Sequence, residues 1–108
     1  MKDYRNKPLT LADEVAYADD SVVSKVILQK ETGNLTIFAF DKGQGLSEHT
    51  SPFDAVIEIL DGTASVKVGD ALHTVHAGET LIMPANIPHA LDAEERFKML
   101  LIMIRSEQ

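Results

Sequence analysis

The stretch that decides the fold is GLSEHTSPFDAVIEILDG, residues 45–62. Within it, residues 55–60 are mostly apolar and rich in β-branched side chains, which is typical of a strand. The run ends at Asp61 and Gly62, a pair that favours a two-residue hairpin turn because both residues tolerate positive φ. A second stretch, GETLIMPANIPH (residues 78–89), ends on His89. We therefore expect two histidines, His49 and His89, each in a strand or at a strand end.

Short strand-like runs recur along the rest of the chain and are separated by turn residues. They cover residues 22–29, 35–41, 63–68, 71–76, 80–83, 89–91 and 97–104. Many short strands without a long helical period predict an all-β protein, a small antiparallel β-barrel or double-stranded jelly roll. The last run is apolar on both faces except at Lys98, which indicates burial on both sides and favours a homodimer.

Composition narrows the classes of partner. The 108 residues form one predicted domain, 1–108, in which residues 1–21 are an N-terminal segment at the rim or in a dimer contact. Seventeen acidic against ten basic residues argue against nucleic-acid binding and against anionic membrane surfaces. The absence of cysteine excludes disulfides and thiolate zinc sites. The N-terminus lacks an apolar signal-peptide core, and no run is long enough to span a membrane, so we expect a cytoplasmic protein.

The spacing in the second stretch carries a resemblance. Gly78, Pro84 and His89 follow the pattern Gly-x5-Pro-x-Gly-x2-His, with Asn86 at the position of the second glycine. Asparagine is the non-glycine residue that adopts positive φ most readily. This pattern resembles the second motif of the cupin superfamily, and the resemblance covers residues 35–104. It implies a small, single-domain, conserved-barrel cupin.

The first cupin motif is degenerate. His49 and the closing Gly62 match it, but Ser51 stands where cupins have their second histidine and Ala55 where they have glutamate. Cupins that bind iron, manganese, nickel or zinc usually use those four side chains. The resemblance therefore implies a divalent transition metal that His49 and His89 hold weakly, since neither serine nor alanine replaces the missing ligands.

Three other residues are candidates for a third metal ligand: Glu58, His73 and Asp54. If residue 55 faces the barrel interior, strand alternation turns Glu58 outward, whereas a bulge would reverse its face. Asp54 is predicted to be a loop carboxylate or a ligand, and His73 a solvent-facing or an inward strand residue.

Three functions follow from these observations. The first is a barrel that binds a small-molecule ligand, a metal or both in a pocket bounded by His49, Ser51, Phe53, Ala55 and His89. The second is a metal-dependent cupin enzyme, a dioxygenase, isomerase or lyase, with an incomplete set of protein ligands. The third is a structural or sensory dimeric module. No catalytic residue is predicted.

Overall fold

The computed structural model describes residues 2–105, and almost all of its regular structure is β-strand. Eight strands follow one short 3-10 turn, Leu11–Asp13. They are β1 (Val22–Lys30), β2 (Gly33–Phe40), β3 (Gly45–His49), β4 (Phe53–Val68), β5 (Ala71–His76), β6 (Thr80–Met83), β7 (His89–Asp92) and β8 (Phe97–Arg105). Within residues 2–105 there is no helix of the length and hydropathy needed to cross a membrane.

Every strand pairing is antiparallel, and the strands close into a jelly-roll barrel. The main path of hydrogen-bonded neighbours is β1-β2-β8-β4-β7-β3, and β5 and β6 also pair with β4. The first half of β4 pairs with β6 and β8, and its second half pairs with β5 and β7. Strand β4 therefore joins both walls of the barrel, and the all-β fold expected from the sequence is confirmed.

The hairpin predicted at Asp61 and Gly62 is wrong. Strand β4 continues through both residues, and its register against β8 shifts between Ile59 and Asp61. Gly62 has a φ of 77°. The local signal for a residue with positive φ was correct, but here it serves a β-bulge that bends a long strand from one wall to the other. A tight turn does separate the strand-like runs predicted at residues 63–68 and 71–76: it lies at Gly69 and Asp70 and joins β4 to β5.

The barrel interior is filled by side chains that alternate along the strands. On β4, Ala55, Ile57 and Ile59 are buried, as are Ala64 and Val66 beyond the bulge. The rings of Phe40 and Phe97, both fully buried, stack with their centroids 4.6 Å apart. This core fixes the positions of the strands that border the candidate site.

The N-terminal segment lies across the outer face of its own sheet. Tyr4 and Val15 are buried there in a second apolar cluster that includes Ile37 and Leu100. The guanidinium of Arg96 lies 4.4 Å from the centre of the Tyr17 ring. Burial and the bond that the Tyr17 hydroxyl donates to Asp61 raise the pKa of Tyr17.

Lys98 helps to hold the same segment in place. Its ammonium donates a hydrogen bond of 2.6 Å to the carbonyl of Ala12. The one polar residue between Phe97 and Ile104 therefore has a structural explanation, because Lys98 anchors the segment that covers part of the outer face of β8. The N-terminal segment of the same chain therefore covers part of the outer face of β8, which the sequence pattern assigned to a dimer contact.

Candidate functional site

Two histidines face each other across a pair of neighbouring strands. His49 ends β3 and His89 begins β7, and the two residues are direct partners in the β3–β7 ladder. Their ring centroids are 4.4 Å apart and the ring planes meet at 70°. His89 is 5% exposed, whereas His49 is exposed toward the barrel mouth. Residues forty positions apart in the sequence therefore form one imidazole pair.

The loop before His89 is held by the β3–β4 connection. Asn86 has a φ of 67°, which is the conformation expected of a residue that replaces glycine there. Its backbone N–H donates to the carbonyl of Ser51 at 2.8 Å. The Asp54 carboxylate accepts a bond of 2.8 Å from the N–H of Ala85. These bonds fix the loop, and so they position the His89 ring.

Each histidine uses its Nδ1 atom to contact a backbone carbonyl two residues earlier. Nδ1 of His49 lies 2.7 Å from the carbonyl oxygen of Ser47, and Nδ1 of His89 lies 3.3 Å from that of Ile87. A carbonyl only accepts hydrogen bonds, so both Nδ1 atoms carry the proton. In the neutral rings Nε2 then keeps its lone pair, which is the arrangement found when histidine binds a metal.

Burial keeps His89 neutral near pH 7. Loss of hydration lowers the pKa of His89, and the neighbouring His49 lowers it further, while the Ile87 carbonyl acts in the opposite direction. Every fully buried side-chain nitrogen in residues 2–105 has a hydrogen-bond partner. Nε2 of His89 has no such partner, since the hydrogen bond of this ring is made by Nδ1. Nε2 is therefore not fully buried, and it can be reached from the adjoining cavity.

A small apolar cavity of about 60 Å³ lies beside the histidine pair. Its lining residues come from five strands and are mainly apolar: Leu46, His49, Ala55, Met83, His89, Leu91, Met99, Leu101 and Met103. A water molecule occupies roughly 30 Å³ in the liquid, so the space accepts one or two waters or an ion. The histidines supply the only nitrogen donors among these side chains.

The residues predicted for the pocket separate into two groups. The structure brings His49, Ala55 and His89 together around the cavity. Ser51 and Phe53 do not border it, and the Ser51 hydroxyl instead accepts a bond of 3.1 Å from the N–H of Phe53. Phe53 is half-buried at the start of β4. Ser51 thus belongs to the connection that holds the loop before His89.

None of the three proposed third ligands borders the cavity. Glu58 lies on the opposite face of β4 from the buried Ala55 and Ile57. Asp54 contacts the loop backbone, and His73 is exposed on β5. Over the described chain, 2–105, no three residues among histidine, cysteine, aspartate and glutamate are grouped closely enough to hold a metal ion.

Sequence reasoning missed the shared position of three methionines. From the sequence, Met83, Met99 and Met103 are interpreted as core fillers, some of them lining a pocket, and the structure places all three at the cavity beside the histidines. Alternation along β8 places Met99, Leu101 and Met103 on one face, which is a signal that the sequence contains. The position of Met83 on the same wall depends on the pairing of β6 with β4, which the sequence does not specify.

A small jelly-roll barrel with a histidine pair at its mouth is the architecture of a cupin. The profile of the cupin domain family matches residues 36–104, which is more than half of the chain. The chain therefore belongs to the cupin family. No functionally curated protein matches it.

Several solved structures are similar to this one. A conserved protein of unknown function from Streptococcus pyogenes is 40% identical with a TM-score of 0.89, and the match covers 95% of this chain and 90% of that one. A cupin 2 conserved barrel domain protein from Leptotrichia buccalis is 42% identical with a TM-score of 0.85, over 87% of this chain and 46% of that one. A cupin superfamily protein from Desulfitobacterium hafniense is 28% identical with a TM-score of 0.88, over 94% of each chain. This chain therefore spans less than half of the Leptotrichia protein.

The residues present do not fit the four-ligand set on which most cupin metal centres depend. The cavity offers two imidazoles, and Ala55 contributes only a methyl group to its wall. Catalytic zinc normally has three protein ligands, and oxygenase iron has two histidines and a carboxylate. The described chain lacks that carboxylate at the cavity, so the geometry does not provide the centre of a typical cupin enzyme.

Proposed function

We propose that this cupin is a binding protein that holds one transition-metal ion between His49 and His89. The observation that carries the proposal is the tautomer that the two rings share: both Nδ1 atoms contact backbone carbonyls, which leaves both Nε2 atoms as acceptors. The two rings lie side by side on one cavity wall. Two imidazoles whose Nδ1 atoms are fixed by carbonyls are suited to binding a metal ion through Nε2.

The size of the cavity favours an ion over an organic ligand. Pockets for drug-sized molecules have volumes of about 300–1,000 Å³. The space beside the histidines is about 60 Å³ and its other walls are apolar. An organic molecule would have to displace packed side chains such as Met83 and Met99, which are buried. An ion with a water molecule needs no such rearrangement.

The missing carboxylate favours binding over catalysis. A general base or an anionic ligand would have to lie at the cavity, but Asp54, next to Ala55 in the sequence, is engaged with the loop backbone, and Glu48, next to His49, pairs with Lys67. Glu58 lies on the other face of the strand. The alternative of a dioxygenase, isomerase or lyase therefore has less support from this geometry than a site that stores, senses or carries a metal.

Elemental analysis of the protein purified without an affinity tag or chelator tests the proposal. We expect about one transition-metal ion per chain. In His49→Gln and His89→Gln the affinity should fall by more than the roughly 10–100-fold that loss of an outer-shell partner produces, because a direct ligand is removed. Isothermal titration with Zn²⁺ and Cu⁺ measures the affinities.

His73→Gln is the matched control, since His73 is exposed on β5 and does not border the cavity. It should retain full binding. Binding that survives in both cavity variants, or that disappears in the β5 control, would place the metal elsewhere and overturn the proposal. A wild-type protein that neither contains nor takes up a metal would overturn it as well.

We also propose that the protein forms a homodimer through the uncovered part of its outer sheet face. Cross-strand registers place five apolar residues in one row across five neighbouring strands: Leu28, Leu35, Ile102, Val56 and Ile82. The N-terminal segment covers the adjacent part of this face but leaves Ile82 64% exposed. A two-fold interface pairs a surface with itself. The row carries no charge, so two copies can approach each other there although each chain has a net charge of −7. Lys30 and Asp54 lie at the two ends of the next cross-strand row, so a two-fold axis parallel to the strands brings the lysine of one copy toward the carboxylate of the other.

Analytical ultracentrifugation at micromolar concentration checks this assembly. The wild type should sediment at twice the chain mass, and Ile82→Lys should sediment as a monomer because it buries a charge in the interface. Leu72→Lys is the control, since Leu72 is 72% exposed on β5, outside the row. A monomeric wild type, or equal dissociation of both variants, would contradict the predicted interface.

The cytoplasmic location expected from the sequence is a separate prediction that cell fractionation tests.

A further inference from the structure

We infer that the metal held by the histidine pair is monovalent copper, and that methionine thioethers complete its coordination. This inference rests on the proposed metal site and identifies its cargo. Its basis is that three of the nine residues lining the cavity are methionines, contributed by two different strands. Met83 ends β6, while Met99 and Met103 lie on the inward face of β8.

The chemistry of the donor atoms selects the metal. Thioethers are soft ligands that favour Cu⁺, and imidazole binds copper as well as zinc, nickel and iron. Magnesium, calcium and manganese prefer carboxylate, carbonyl and water oxygens. The side chains that border the cavity supply two imidazoles and three thioethers and no carboxylate. Copper(I) is the ion that can use both kinds of donor present.

The charge of the ion also favours Cu⁺ over a divalent metal. Transfer of an ion into an apolar cavity is opposed by lost hydration, and that penalty rises with the square of the charge, so it is about four times larger for a divalent than for a monovalent ion of equal size. The donors that the cavity offers to an ion carry no negative charge, because imidazole binds a metal through a neutral nitrogen and a thioether is uncharged. No anionic side chain at the cavity compensates a divalent charge.

The burial of the methionines is consistent with preformed coordination. Met83 and Met99 are 2% and 1% exposed, and Met103 is half-buried. Methionine is flexible and often fills irregular gaps in a core, which is the alternative role for these three residues. A replacement that preserves the apolar volume and removes the sulfur separates the two roles.

The experiment is an anaerobic competition titration. Cu⁺ is supplied with ascorbate as its coloured bathocuproine disulfonate complex, and the loss of colour on adding protein gives the affinity. The compared proteins are the wild type, Met83→Leu/Met99→Leu/Met103→Leu, Met103→Leu, His49→Gln and the control His73→Gln. Methionine-to-leucine exchange keeps the volume and usually destabilises by less than about 1.5 kcal/mol per site, and Met103→Leu provides a milder variant if the triple exchange impairs folding.

We expect the triple exchange to weaken Cu⁺ binding by about tenfold or more, because even the loss of an outer-shell partner lowers metal affinity by about 10–100-fold. The affinity for Zn²⁺ should change by less than about threefold, because zinc prefers nitrogen and thiolate ligands to thioethers. Met103→Leu should show a smaller effect in the same direction. X-ray absorption at the copper edge should show sulfur in the first shell of the wild type and none in the triple variant.

The outcomes separate this inference from the proposed site. Cu⁺ binding that depends on His49 but is unchanged in the methionine variants, with only nitrogen around the metal, overturns the copper–thioether inference and leaves the histidine site standing. Binding that is insensitive to His49→Gln overturns both. Dependence on His49 together with sulfur ligation confirms both, provided that His73→Gln behaves as the wild type.

Discussion

Replacing Gly62 by alanine should lower the free energy of unfolding by about 3 kcal/mol. Gly62 has a φ of 77°, and a left-handed backbone is unfavourable by about 1–2 kcal/mol for a residue with a Cβ atom. An added Cβ would also overlap the carbonyl oxygen of Arg96 and lie 3.1 Å from the Cα of Phe97. Both are backbone atoms, at the residue before β8 and at its first residue, so relief requires β4 and the start of β8 to shift apart, which adds about 1–3 kcal/mol. Chemical denaturation measures the loss.

Gly43→Ala is the control that isolates the backbone strain. Gly43 has a φ of 87°, but a Cβ there meets no atom within 4 Å. This variant should lose only about 1–2 kcal/mol. Equal losses at Gly43 and Gly62 would show that the close approach of β8 contributes nothing, and would contradict the role of the bulge in joining the two walls of the barrel.

Gly62 also shows which structural features local sequence patterns predict and which they do not. The Asp-Gly pair correctly indicated a residue with positive φ, because that preference is a property of the residue itself. Whether the chain then reverses or continues depends on the partner strand, and here the partner is β8, beginning at Phe97. A contact between positions thirty-five residues apart leaves no local trace, so the sequence predicted the strands but not the long course of β4.

The candidate site was predictable where one motif fixed a residue and unpredictable where several strands meet. His49 and His89 followed from motif spacing, and Asn86 adopts the positive φ expected of a glycine position. The methionines carry no motif. Met83 and Met103 lie together because both pair with Ala55, one through β6 and one through β8. Their meeting at the cavity depends on this three-strand register, which alternation within any single strand cannot reveal.

Replacing Ala55 by glutamate should convert the site into one that is destabilised without metal and rescued by a divalent ion. Ala55 is 1% exposed and borders the cavity. A carboxylate placed there without a partner loses its hydration among apolar walls, and an uncompensated buried charge destabilises by about 3–5 kcal/mol. With His49 and His89 it forms the two-histidine, one-carboxylate set that binds iron and related divalent ions. At a metal concentration of about 100 times the dissociation constant, binding should restore about 2.7 kcal/mol.

Ala55→Gln separates charge from bulk in this experiment. Glutamine has nearly the same size and overfills the cavity to the same extent, but it adds no anionic ligand. Thermal unfolding of both variants, with and without Mn²⁺ or Fe²⁺, should show metal-dependent stabilisation in Ala55→Glu alone. The added anion should also shift the preference of the site from Cu⁺ toward the divalent ions, because it offsets the second positive charge. Rescue of both variants, or of neither, would mean that position 55 does not face the ion held by the histidines.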